Sequence, residues 1–139
     1  MSFVSRRTAE SLPGREGVYV ISISDGDSAA LAAGWASVLR LNFHDVEPEW
    51  TSAGQRLMDA QHADLIVRLA KEASAARAEI LVHCQSGISR SGAVAYALCE
   101  RWGLPFDGEL RECNIHVLGL VRAALLRHEA GDAGASGVA

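Results

Sequence analysis

The chain has 139 residues, 49% of them apolar and 22% charged, with three cysteines and a formal charge of −4. That length suits one domain whose core buries roughly 70% of the surface exposed by the unfolded chain. The apolar fraction excludes a disordered tail, three cysteines exclude a disulfide-built miniprotein, and the acidic balance argues against general nucleic-acid binding, which rests on a basic surplus.

From the N-terminus, Met1–Arg7 carries no apolar signal core, and Arg6-Arg7 runs into polar Thr8-Ala9-Glu10 rather than an export signal. Phe3–Ser5 predicts a short edge strand and Arg7–Leu12 a helical turn that stops at Pro13-Gly14. Val18–Ile23, β-branched and aromatic between Gly17 and Asp25-Gly26, reads as a strand. Val38–Phe43 is a third strand running into the loop His44–Glu49. Ser52 with Gln55 matches a capping box, so a helix is expected from there to about Ala76. Its stripe would be Met58, Leu65, Leu69, Ala73 and Ala76, with Asp64–Arg68 and Arg68–Glu72 pairs on the other face.

Glu79–His83 predicts a short buried strand. A helix follows from Ser89–Ser91 through Val94, Leu98 and Trp102, stopped by Gly103 and Pro105. The last helix is expected to start at Asn114, an N-cap type, and to reach about His128. Residues 1–130 form one domain in this reading, and the Gly-rich residues 131–139 a flexible tail. No run of about 18 apolar residues is present, so no membrane span is expected. An odd number of cysteines fits a reducing, cytoplasmic setting. Strands alternating with helices imply an α/β fold, a small and mostly parallel central sheet of four or five strands flanked by helices. Such sheets bind ligands beyond the carboxyl ends of their strands.

The segment with the most chemistry falls at that edge: Val82-His83-Cys84-Gln85-Ser86-Gly87-Ile88-Ser89-Arg90-Ser91. A helix N-terminus offers unpaired N–H groups and about half a positive charge. Gly87 lets the loop curl so that successive N–H groups form an anion nest. Arg90 adds a planar fork for two phosphate oxygens. A cysteine at the mouth of such a cradle has its pKa lowered, and the thiolate is the nucleophile. Cys84 is therefore expected to be a nucleophile beneath an anion site.

This segment resembles the Cys-x5-Arg loop of the protein tyrosine phosphatase superfamily, and His-Cys-x-x-Gly-x-Ser-Arg-Ser is similar to its dual-specificity branch; Val38–Trp102 is also similar to small bacterial members. The resemblance implies a dual-specificity-phosphatase-like fold and hydrolysis of phosphotyrosine, with phosphoserine and phosphothreonine as further substrates, through a cysteinyl-phosphate. It implies Cys84 as nucleophile, Arg90 and the N–H groups of Gln85, Ser86, Gly87, Ile88 and Ser89 as phosphate ligands, and Ser91 as the hydroxyl that supports the thiolate. His83 would orient the loop and Asn114 would support it. Ser86 departs from the alanine that many relatives carry.

The family takes its general acid from a loop upstream of the cysteine, which assigns that role to Asp45, ahead of Glu47, Glu49, Asp59 and Asp64, with Trp50 covering the site. Neither a cofactor nor a metal is implied. The expected partner is a phosphorylated protein or a small phosphate ester, with no nucleic acid and no membrane. Cys99 and Cys113 read as packing residues, with a redox partnership to Cys84 as the other role. The competing functions are a catalytically weak phospho-binding module and a phosphatase for a non-protein ester or an RNA 5′ end. Intact Cys84, Arg90, Ser91 and Asp45 weigh against a pure binder. The loop has no lysine, which weighs against inositol polyphosphates.

Overall fold

In the computed structural model, which describes the backbone of residues 1–138 and the side chains of residues 1–131, the elements run β1 (Ser2–Ser5), α1 (Arg6–Ser11), β2 (Val18–Ser24), β3 (Ser37–Asn42), α2 (Ala60–Ala75), β4 (Glu79–Cys84), α3 (Arg90–Trp102) and α4 (Ile115–Val138). Short 3-10 turns lie at Pro48–Trp50 and Leu110–Glu112. The strands form one four-stranded sheet in the order β1-β4-β2-β3, and every pairing is parallel. Parallel strands covered on both faces read as near-continuous apolar runs, and β2 and β4 at the centre are buried along most of their length.

The two faces are unequal. Ile21, Ile23, Phe43 and Val82 point into the main core beneath α2, α3 and α4, where they meet Ile66, Val67, Val94, Leu98, Val117 and Val121. Val18, Val20 and Leu81 point the other way, against Val4, Leu12, Leu31 and Trp35. The alternation of Val20 and Ile21 between the faces is the period of two that a strand imposes.

The second helix corrects the reading of the sequence. Ser52 and Gln55 do bond each other: the Ser52 N–H donates to Gln55 Oε1 at 2.8 Å. Gly54 between them stands at φ +84°, however, and the turn goes no further. The helix starts instead at Asp59, whose Oδ1 accepts the His62 N–H at 3.0 Å while His62 Nδ1 accepts the Asp59 N–H at 3.0 Å. Its buried face is Ala63, Ile66, Val67, Leu69, Ala70 and Ala73. Leu65 and Ala76, expected in the stripe, are exposed. Asp64 reaches Arg127 and His128 of α4, at 2.9 and 3.3 Å, rather than Arg68 on its own helix.

α3 ends as expected at Gly103, in the left-handed region at φ +65°. Asn114 caps α4 through Oδ1, which accepts the Val117 N–H at 3.1 Å. The α4 backbone stays helical to Val138, past the end expected near His128. The side chains of the expected tail lie almost wholly outside the described residues.

β1 matters to the site because it presses on the loop after β4. Gly87 stands at φ +75°, and a Cβ there would lie 2.2 Å from Ser5 N and 2.4 Å from the Val4 carbonyl carbon. Both the dihedral and the close approach require glycine. Gly87→Ala is expected to cost at least about 2 kcal/mol, a left-handed penalty plus an overpacking penalty. That lowers Tm by at least about 5 °C in a thermal melt. Gly119→Ala, on an exposed part of α4 where a Cβ meets nothing within 4 Å, is expected to raise Tm slightly, since alanine gains about 0.8–1 kcal/mol over glycine in a helix. Equal behaviour of the two variants would refute the close-approach argument.

Candidate active site

Because all four strands run the same way, β2, β3 and β4 end at one edge of the sheet. β4 delivers Cys84 there, β3 leads into Phe43-His44-Asp45, and β2 leads into Asp25. α3 begins at Arg90 and turns its N-terminus toward the loop between Cys84 and Ser89.

Cys84 is fully buried. Its Sγ lies 3.1 Å from Ser91 Oγ and receives the Gly87 N–H at 3.3 Å. Burial of the thiol pushes its pKa up, but hydrogen bonds from the Ser91 hydroxyl and from the Ser91 and Gly87 backbone, with the charge of Arg90, outweigh that and hold it below the ordinary cysteine value. Cys99 and Cys113 are also buried and free, yet there burial prevails and pushes both thiols up. Cys84 alone of the three is in thiolate-favouring surroundings.

Arg90 is 2% exposed. Its Nη1 donates to the Asp25 carboxylate and, at 2.6 Å, to the Phe43 carbonyl. Nε is buried without a hydrogen-bond partner. Buried polar groups are almost always paired, and Arg90 Nε is a buried cationic donor left without a partner at the N-terminus of α3, next to the Cys84 loop.

Asp45 is tied to the loop by a single oxygen. Its Oδ1 accepts the Ser89 hydroxyl at 2.8 Å and Asn114 Nδ2 at 2.9 Å. The Asn114 amide also donates to the Val46 carbonyl at 3.2 Å, and its backbone N–H donates to the Ser89 carbonyl at 3.1 Å. One residue thus caps α4 and fastens the Asp45 loop with its side chain, while its backbone N–H holds the loop after Cys84 at Ser89. Of the other acid candidates, Asp59 caps α2 and Asp64 is engaged by α4. Trp50 is 76% exposed.

The remaining positions divide between scaffold and mouth. His83 is buried, its Nε2 lies 2.6 Å from Ser22 Oγ on the neighbouring strand, and burial lowers its pKa, so the ring is neutral at neutral pH. The Gln85 carbonyl accepts the Arg6 N–H at 3.4 Å. Ser86, the departure from the family pattern, accepts the Ile88 N–H at 3.3 Å. Of the loop N–H groups expected to face an anion, those of Gly87 and Ile88 therefore have partners within the loop. Asp25 is the residue that sequence reasoning missed. In the sequence, Asp25-Gly26 reads only as the boundary of the strand Val18–Ile23, although its place beyond the carboxyl end of a strand is the available signal. Among the described residues no group of three or more His, Cys, Asp or Glu could hold a metal ion, and no helix is long and apolar enough to cross a membrane.

No protein-family model matches the chain, and no curated protein matches it significantly. Solved structures do. Human DUSP28 matches at 22% identity over 88% of this chain and 77% of that one, with a TM-score of 0.54. The chain has the dual-specificity-phosphatase fold. A structure of Tk-PTP in the active form is similar at 20% identity over 88% of each chain, with a TM-score of 0.50. The small, mostly parallel sheet expected from the sequence is the sheet of this fold, with four strands, all parallel.

The hydrogen bond from Ser91 yields a measurement on the thiol itself. Ser91→Ala removes the largest of the groups that lower the Cys84 pKa. The pH profile of alkylation by iodoacetate is expected to move to higher pH. On the acidic limb, where rate follows the thiolate fraction, the variant should react roughly tenfold more slowly, the worth of one hydrogen bond to a charged group. Coincident profiles would mean that the hydroxyl does not act on the thiolate.

Proposed function

We propose that this chain is a cysteine-dependent phosphoric monoester hydrolase acting on phosphotyrosine in proteins, with phosphoserine and phosphothreonine as further substrates. The observation that carries the reading is the buried Arg90, with Nη1 fully engaged and Nε unpaired, beside a cysteine whose thiolate is supported by Ser91 and Gly87. A pure binder needs the cation but not the nucleophile.

In the first step the Cys84 thiolate attacks phosphorus, an S–P bond forms and the P–O bond of the ester breaks. Asp45, protonated at the oxygen that Ser89 and Asn114 do not engage, gives its proton to the departing oxygen. Arg90 and the loop N–H groups other than those of Gly87 and Ile88 hold the equatorial oxygens as charge gathers on them. In the second step Asp45, now a carboxylate, takes a proton from water. The water oxygen attacks phosphorus, the S–P bond breaks, and inorganic phosphate leaves. The sulfur departs as a thiolate, stabilised by the same Ser91 and Gly87 donors. Asn114 and Ser89 fix the acid relative to the cradle, which is the positional part of the catalysis.

The mouth supports a protein substrate. Ile88 and Trp50 are exposed apolar side chains on the two loops that carry the reaction. Apolar surface at the rim suits an aromatic leaving group better than a polyphosphate.

The protein is expected to hydrolyse p-nitrophenyl phosphate without added metal, with a bell-shaped pH dependence of kcat/KM. The acidic limb reports Cys84, overlapped by substrate ionisation. Asp45→Asn is an unusually clean test, because the amide oxygen can still accept from Ser89 and Asn114 while no proton can be donated. It should slow turnover by roughly 10²-fold, the lower end of general acid–base contributions. It should penalise alkyl phosphates more than p-nitrophenyl phosphate. Equal slowing of good and poor leaving groups would assign the acid to another residue, with Glu47 next. Activity that resists vanadate but vanishes with EDTA would overturn the mechanism.

A further inference from the structure

We propose that Asp25 is a positioning residue for Arg90: it holds one end of the guanidinium so that the other end, Nε, faces the anion site. The proposal rests on the phosphatase reading of that site and adds to it a residue outside the Cys-x5-Arg loop.

A guanidinium –NH2 carries two hydrogens. Arg90 Nη1 gives both away, one to the Asp25 carboxylate and one to the Phe43 carbonyl. The two acceptors come from the ends of two different strands, β2 and β3. A planar group fixed at one corner by two acceptors has little freedom left, and its Nε edge is then aimed by the geometry rather than by chance. That edge is the buried, unpaired one.

An exposed carboxylate on a loose loop would be a poor anchor, and Asp25 is 51% exposed. The loop is not loose. Arg6 Nη1 and Nη2 donate to the carbonyls of Asp27 and Ser28 at 2.9 and 3.0 Å. Glu10 accepts the Ala30 N–H at 2.7 Å, and Arg40 donates to the Ala29 carbonyl at 3.0 Å. Arg6 also donates its backbone N–H to Gln85 in the loop after Cys84. α1 thus braces the Asp25 loop and the phosphate-type loop from one residue, and the anchor is set before any anion arrives.

The carboxylate has a second, opposing effect. Its negative charge beside Arg90 reduces the pull on an anion, so a purely electrostatic role and a positioning role predict opposite signs. If Asp25 acted only as a charge, removing it would tighten oxyanion binding. If it positions Arg90, losing the acceptor weakens binding and turnover, and restoring an oxygen acceptor without charge repairs both.

The test compares Asp25→Ala with Asp25→Asn in the full chain, using p-nitrophenyl phosphate turnover and vanadate inhibition. Asp25→Ala is expected to lower kcat/KM about 10- to 100-fold, mostly in kcat, and to weaken vanadate by a similar factor, the scale of a small misplacement of a catalytic group. Asp25→Asn is expected to stay within about threefold of the parent on both readouts, since an amide oxygen still accepts from Nη1. Equal losses in both variants, or tighter vanadate in either, would overturn the proposal. Should the parent show no turnover, the phosphatase reading fails separately. The same comparison is then read by calorimetric titration with inorganic phosphate, where weaker binding by Asp25→Ala alone still supports the positioning role and unchanged binding overturns it.

Discussion

A guanidinium that is 2% exposed has to be matched by acceptors, because an ion taken out of water without partners costs several kcal/mol even after relaxation. Much of the geometry around Arg90 answers that requirement. The end of β3 supplies a carbonyl and the end of β2 a carboxylate, while the fold keeps both within reach by placing β2 between β3 and β4. The buried cation is then available to do what an exposed one does poorly, since its field is not screened by solvent.

The rest of the site is divided among elements by the same logic. β1 squeezes the loop at Gly87, α1 braces it at Gln85, and α4 reaches it through Asn114. Asn114 is economical, because its Oδ1 closes the start of α4 while Nδ2 bridges to Asp45 and Val46. A side chain that caps a helix is already rigid, and a rigid donor fixes the Asp45 loop at little entropic cost. His83 contributes from below, cross-linking β4 to β2 through Ser22 in a ring that burial keeps neutral.

How much of this was legible depended on whether the information was local. The strand Val18–Ser24 and the loop after Cys84 could be read directly, because their composition and glycine placement determine their geometry over a few residues. The start of α2 could not. Ser52 and Gln55 have the composition of a capping box and even make half its hydrogen bonds, but Gly54 between them stands at φ +84°, outside the helical region, and the turn stops there. Asp59 and His62 make a true box with a histidine where the usual pattern has Glu or Gln. Asp25 was invisible for a different reason. Its partner lies 65 residues away in sequence, and nothing in an Asp-Gly turn announces which strand end will stand beside it.

Those separations also set the order in which the molecule can become whole. The contacts that complete the site span 65, 47 and 69 residues, from Asp25 and Phe43 to Arg90 and from Asp45 to Asn114. β1 finds its partner only when β4 exists, pairing Ser5 with Cys84. Parallel pairings of this kind close long loops before they gain contacts, which makes them slow steps in folding. On the ribosome, the cradle cannot close until the segment carrying Asn114 has emerged, well after the nucleophile itself has been made. The donors to the Cys84 sulfur, Gly87 and Ser91, follow it within seven residues, so the surroundings of the thiol are made well before the contact that fastens Asp45 to the loop.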